Sequence, residues 1–249
     1  MNSSTISLLL PAALVCCTTA NALPSSLKPE PHQRDPYNWQ ARHESIVERH
    51  KTVKPEYVVI GDSITHRWGG DPVDTDRKMG RPGAAYWDDL FQSHTATNMG
   101  FGFDYVDNAY YRVQHGELDG TSPRVIVLLI GTNNLGHRKD TAEQCAANVK
   151  AFVQLLRTKC PSSKILILGI LPRKEEQLAP VISKTNALVS KLQNRKNIFF
   201  RDISPAFTAP GSTLASPALF SDTVHPNAAG YAKLTEQLKP ILKQIDPQY

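Results

Sequence analysis

Three groups of polar residues, far apart in the chain, are of the types that acyl transfer requires. Ser63 follows an apolar run and the pair Gly61-Asp62, and what comes after it reads as a helix start. A serine there has free backbone N–H groups beside its oxygen and a helix dipole that favours developing negative charge. It would equally serve as a plain N-cap. Asp222 and His225 lie three residues apart in a short turn. That spacing lets the carboxylate hold one imidazole nitrogen while the other faces outward as a general base, with Pro226 restraining His225 to extended backbone. A turn in which Asp222 only bonds amides has the same spacing. Asn133 follows a very apolar run, where its amide can donate to an oxyanion or close an Asx-turn.

The elements that must position these residues are legible as alternating apolar runs and segments of helical period, the pattern of a parallel sheet covered on both faces. Strands are predicted at 57–60, 95–99, 124–130, 164–170 and 197–201, and helices at 38–50, 85–93, 104–115, 141–159, 179–193 and 226–245, with Pro226 in the last helix's first turn. The run Arg124–Ile130 reads as a central strand buried on both faces. Ligands of such sheets bind outside the carboxyl ends of the strands. The turns there carry Gly61-Asp62-Ser63, Gly100-Phe101-Gly102-Phe103-Asp104 and Gly131-Thr132-Asn133, while Ser221-Asp222-Thr223-Val224-His225-Pro226 comes late in the chain.

Taken together these turns resemble the ordered blocks of the SGNH/GDSL hydrolases. Gly61-Asp62-Ser63 is similar to the nucleophile block, Asn98-Met99-Gly100 to the glycine block, Gly131-Thr132-Asn133 to the Gly-x-Asn block and Asp222-Thr223-Val224-His225 to the Asp-x-x-His block. Arg112–Leu118, Val125–Asn134 and Leu168–Arg173 resemble the catalytic subunits of brain-type platelet-activating-factor acetylhydrolase. The resemblance covers roughly residues 56–245. It implies an α/β fold of flavodoxin-like type, a three-layer α/β/α sandwich around a parallel five-stranded sheet. It also implies a serine esterase with catalytic Ser63, Asp222 and His225, and an oxyanion hole from the Ser63 N–H, the Asn133 amide and a third backbone donor.

Two departures bear on the site. Counting from Asn98, the family's third donor glycine falls on Phe103, whose N–H can serve only if the loop avoids the positive φ that glycine tolerates. Gly102 is the alternative donor, and Phe103 would then be a wall of the acyl pocket. Between Thr65 and Trp87 the chain is longer than in the brain-type enzymes, and Trp68 there is the candidate substrate-binding residue, a flat face for a sugar ring or acyl group. The alternative is that Trp68 anchors the loop in the core.

A length of 249 residues fits one domain. The apolar run Ile6–Cys17 followed by Ala20-Asn21-Ala22 reads as a signal peptide over residues 1–22, although no Lys or Arg precedes the run. A proline-rich tether would span 23–36 and the hydrolase domain 37–249, placing the mature chain in the periplasm or medium. Lys and Arg exceed Asp and Glu for a net charge of +5, but they are scattered, so no nucleic acid partner is expected. The run is too short for a stable membrane anchor. Cys145 and Cys160 sit at the two ends of one predicted helix, roughly 20 Å apart at 1.5 Å per residue, too far for a disulfide.

Gly100-Phe101-Gly102 lacks the third glycine of a dinucleotide loop, because Tyr105 stands in its place, and Thr65 stands where an α/β-hydrolase elbow needs glycine. Histidine spacing suggests no metal, and no cofactor is implied. The expected ligand is a small ester, foremost an acetyl group on a glycan, with lipid acyl hydrolysis as the alternative. A homodimer is compatible with the sequence, and the rival from another class is a carbohydrate- or lipid-binding module that has lost turnover.

Overall fold

The computed structural model describes residues 22–32, 37–74 and 78–249. The expected signal peptide, residues 1–22, lies outside the described residues apart from Ala22. Five strands, β1 (Tyr57–Gly61), β2 (Ala96–Gly100), β3 (Val125–Leu129), β4 (Lys164–Leu168) and β5 (Ile198–Arg201), form one all-parallel sheet in the order β2-β1-β3-β4-β5. The order reverses between β1 and β3, where an open α/β sheet of this kind forms its ligand crevice.

Along the strands successive side chains feed two separate cores. Val58, Ile60, Ile126, Leu128, Ile165 and Ile167 face one, with α1 (Trp39–Thr52), α4 (Val106–Gln114) and α6 (Ala142–Lys159) packed over them. Tyr57, Val59, Val125, Val127, Leu166 and Leu168 face the other, beneath α3 (Ala84–Phe91) and α8 (Ala228–Ile245). Burial on both faces explains why the strands read as continuous apolar runs rather than as alternating ones. A seventh helix, α7 (Ala179–Val189), lies against α6.

Helix starts follow local chemistry. Asn38 caps α1 through the Ala41 N–H at 3.0 Å, and Thr141 with Gln144 forms a capping box on α6. Pro226, expected in the first turn of the last helix, lies before it: it bridges Phe220, and Asn227 caps α8 through the Gly230 N–H at 3.0 Å. Two short helices, α2 (Ser63–His66) and α5 (Thr132–Gly136), sit directly behind β1 and β3.

The described part of the expected tether is laid against the domain. Leu27 is buried, the Ser26 hydroxyl meets the Asn148 side chain at 2.6 Å, and the Lys28 N–H donates to Asp107 at 2.6 Å. Cys145 and Cys160 are buried and free, Cys160 at the C-cap of α6.

Candidate active site

Ser63 is the first residue of α2, and Asp62 caps that helix by accepting the Ile64 N–H at 2.9 Å. The helix can lie this close to the sheet because two positions are glycine. A Cβ on Gly100 would come within 2.2 Å of the His66 nitrogen, and one on Gly61 within 2.4 Å of the Leu129 carbonyl oxygen. The Asn98 amide, fully buried, ties the end of α2 to β2 by donating to the Thr65 carbonyl at 2.7 Å.

From the opposite end of the chain, His225 Nε2 lies 2.8 Å from Ser63 Oγ across 162 positions of sequence, and His225 Nδ1 lies 2.8 Å from Asp222 Oδ2. The carboxylate is itself fixed, since Asp222 Oδ1 accepts the N–H groups of Val224 at 2.8 Å and His225 at 2.7 Å. Nδ1 therefore carries the proton donated to Asp222, and Nε2 faces the serine hydroxyl as an acceptor. Burial pushes the Asp222 carboxyl up, but these two amides and the His225 ring outweigh it and hold it at about 2. Burial lowers His225 from its ordinary 6.5; Asp222 opposes this, and the charges of Arg67 and Arg173 reinforce it. At neutral pH the ring is uncharged and able to take a proton. Beside them Asp62 is pushed up to about 7 by burial, against the Ile64 N–H and Arg173.

Asn133, on α5, is buried, and its Nδ2 donates one hydrogen to the Asp104 carbonyl at 3.1 Å. That bond aims the amide and leaves a second N–H.

The glycine-block loop departs from expectation in two ways. Phe103 adopts φ 67°, the left-handed region that its N–H was expected to have to avoid. Gly102, the alternative donor, is committed elsewhere, because its N–H donates to His66 Nδ1 at 3.1 Å. The backbone takes up a turn in the region that glycine tolerates most cheaply, with phenylalanine in place.

Trp68 is corrected outright. It has 0% exposure, with its ring edge-to-face on Trp87 and tilted against Tyr231 of α8, so it offers no face to a substrate and anchors the loop in the core. The apolar neighbours, α3 and α8, come from segments whose packing the local sequence does not announce.

Residues missed in the sequence also frame the site. Arg173 is almost fully buried, bonds Thr132 Oγ1 at 3.2 Å and pairs with Glu175 at 2.7 Å. Arg42 of α1 is buried too, donating to the carbonyls of Gly100 at 2.8 Å and Asn98 at 3.1 Å. Arg112 of α4 pairs with Asp104 at 2.9 Å and with Glu117, all three without exposure. Charge alone could not flag them, because each also bonds groups on other elements: Arg173 reaches Thr132, Arg42 reaches β2 and Arg112 reaches Asp104.

Comparison with known proteins agrees with this geometry. The model of the GDSL-like lipase/acylhydrolase family matches residues 59–233. The chain is 30% identical over 210 residues to the platelet-activating factor acetylhydrolase IB subunit alpha2 of Homo sapiens, covering 83% of this chain and 84% of that protein. It is 30% identical over 210 residues to the alpha1 subunit of Bos taurus, covering 83% of each chain. Among solved structures it is similar in fold to one described as a putative platelet activating factor from Streptococcus pneumonia, at a TM-score of 0.65 and 22% identity, covering 82% of this chain and 94% of that one. It is also similar in fold to a mutant of an acetyl-xylooligosaccharide esterase from Geobacillus Stearmophilus, at a TM-score of 0.59 and 18% identity, covering 77% and 94%. The chain belongs to the GDSL-like lipase/acylhydrolase family, hydrolases of ester bonds.

Proposed function

We propose that the protein is a serine esterase that removes short acyl groups, foremost acetyl, from carbohydrate hydroxyls. The observation that carries it is the chain of contacts from Ser63 Oγ through His225 to Asp222, 2.8 Å at each link. His225 Nε2 takes the Ser63 proton as Oγ attacks the ester carbonyl, and Asp222 holds the ring and steadies its charged form. The tetrahedral oxyanion is met by the N–H of Ser63, the free N–H of the Asn133 amide and the N–H of Phe103, each worth about 3 kcal/mol. Collapse expels the alcohol, which takes the proton back from His225. Water, activated by the same ring, then releases the acyl group from Ser63.

The glycan preference rests on the export expected from residues 1–22 and on the fold shared with an acetyl-xylooligosaccharide esterase. Lipid acyl hydrolysis is the second reading, favoured by the platelet-activating factor acetylhydrolase relatives. Hydrolysis of nitrophenyl esters of increasing acyl length, with Ser63→Ala as control, separates the two. Turnover confined to acetate and lost in the variant supports deacetylation, whereas preference for longer chains supports the lipid reading. Turnover undiminished in Ser63→Ala would remove Ser63 as nucleophile, and an inactive wild type would favour a binding module.

A further inference from the structure

Gly102, the residue before Phe103, is held through the peptide on each of its two sides. On one, the Gly102 N–H donates to His66 Nδ1 at 3.1 Å. On the other, the Tyr37 hydroxyl donates to the Gly102 carbonyl at 3.0 Å. The two gripping residues also touch, since the Tyr37 ring stands edge-on to the His66 ring at 4.8 Å between centroids. Because Nδ1 accepts, the His66 proton is on Nε2, which donates to Asp74 Oδ2. Asp74 is anchored in turn by Arg42 at 2.8 Å. This network meets the loop at Gly102, directly before the one non-glycine residue of the loop held at positive φ.

A left-handed phenylalanine is strained relative to an ordinary conformation, so the turn persists only where its surroundings determine it. The clamp on Gly102 supplies that determination. His66 fixes the plane of the Phe101–Gly102 peptide and Tyr37 that of the Gly102–Phe103 peptide, which carries the Phe103 N–H, so that together they set the direction of that N–H. None of the gripping groups touches the Ser63–His225–Asp222 chain by any described hydrogen bond, and Tyr37 lies outside the segment that the family model matches.

We propose that His66, braced by Asp74 and Tyr37, is a positioning residue that aims the Phe103 N–H at the oxyanion formed when Ser63 attacks the ester. The proposal rests on the esterase reading above. Burial keeps the ring neutral, pushing it down to about 4, with Arg42 and the more distant Arg112 acting in the same direction and Asp74 opposing them. Neutrality is required, since a protonated Nδ1 would turn a donor toward the Gly102 N–H.

Two substitutions divide the functions of the ring. His66→Asn places an amide oxygen near the position of Nδ1, keeping the acceptor for Gly102 and giving up the Asp74 bond. His66→Gln reaches toward Asp74 and gives up the acceptor. With nitrophenyl acetate and folded protein, His66→Gln is expected to lose about 10- to 100-fold in kcat with KM little changed, and His66→Asn to recover most of that loss. Tyr37→Phe, which keeps the ring and removes only the hydroxyl, is expected to lower kcat by a smaller factor, again with KM little changed; it decides the question if His66→Gln does not fold. Equal kcat in wild type and His66→Gln would overturn the proposal, as would His66→Asn performing no better than His66→Gln, losses appearing in KM rather than kcat, or, where Tyr37→Phe decides, an unchanged kcat in that variant. Wild-type turnover that survives in Ser63→Ala would instead overturn the esterase reading, so the two failures are distinguishable.

Discussion

In the proposed reaction His225 accepts the proton of Ser63 only while its ring is neutral, and burial lowers the pH at which that state is lost. Its value lies below the ordinary 6.5, so kcat/KM is expected to fall as pH drops through a single ionisation below 6.5. A pH–rate profile on nitrophenyl acetate measures this, and an acid limb centred above 6.5 would contradict the assigned environment. Phe103 permits a second test at the same scale. If its contribution is the backbone N–H, Phe103→Gly retains the donor and removes the steric penalty of φ 67°. The expected outcome is a kcat on acetate close to wild type. A fall of about a hundredfold, the size of a lost oxyanion donor, would show that the ring itself is needed.

At the scale of elements, Trp68 shows what holds the segment behind α2 in place. Its ring is fully buried between Trp87 of α3 and Tyr231 of α8. Trp68→Ala is expected to destabilise the fold by about 3 to 5 kcal/mol, read as a lowered denaturation midpoint. Enzyme that remains folded should keep its affinity for small esters, and a specific rise in KM without loss of stability would restore the substrate-face reading. The sheet was legible because strands buried on both faces consist of β-branched and aliphatic residues such as Val125-Ile126-Val127. Their ends were less so: the run to Ile130 is strand only to Leu129, where the chain turns into α5. The positions of Ser63, Asp222, His225 and Asn133 could be read because each carries chemistry at a turn of recognisable type. His66, Arg42 and Tyr37 could not, since apart from the His66–Asp74 pair their hydrogen-bond partners named above are 30 to 65 positions away. Trp68 was ambiguous for the same reason.

Across the whole molecule, stability and pH are linked through buried groups of opposite sense. In the fold His66 titrates at about 4 and in an open chain near 6.5, so its neutral ring favours folding above 6.5, and that advantage is lost as pH falls toward 4. The span corresponds to roughly 3 kcal/mol. Asp62 works the other way: the folded acid keeps its proton up to about 7 while an open chain releases it near 3.8, so stability falls as pH rises through that window. The two act in opposite directions in the wild type. Denaturant unfolding of wild type and His66→Asn at pH 7.5 and pH 4.5 separates them, because the variant lacks the histidine contribution. Relative to wild type it should gain stability on acidification, and parallel behaviour of the two would refute the assignment.

The segment after Trp68 has one more role, visible at the margin of the sheet. Strand β2 is the outermost on its side, and a bare outer strand offers unpaired amides to any neighbouring chain. Here the Asn98 N–H donates to the Asp71 carbonyl at 2.7 Å, and Asp71 forms a bridge with Thr97. The same stretch that leads to Asp74 and the glycine-block loop thus shields the sheet from self-association. Shortening it so that Asp71 no longer reaches Thr97 and Asn98 should leave a chain that elutes as aggregates in size exclusion, so that solubility and the shape of the candidate site are inherited together.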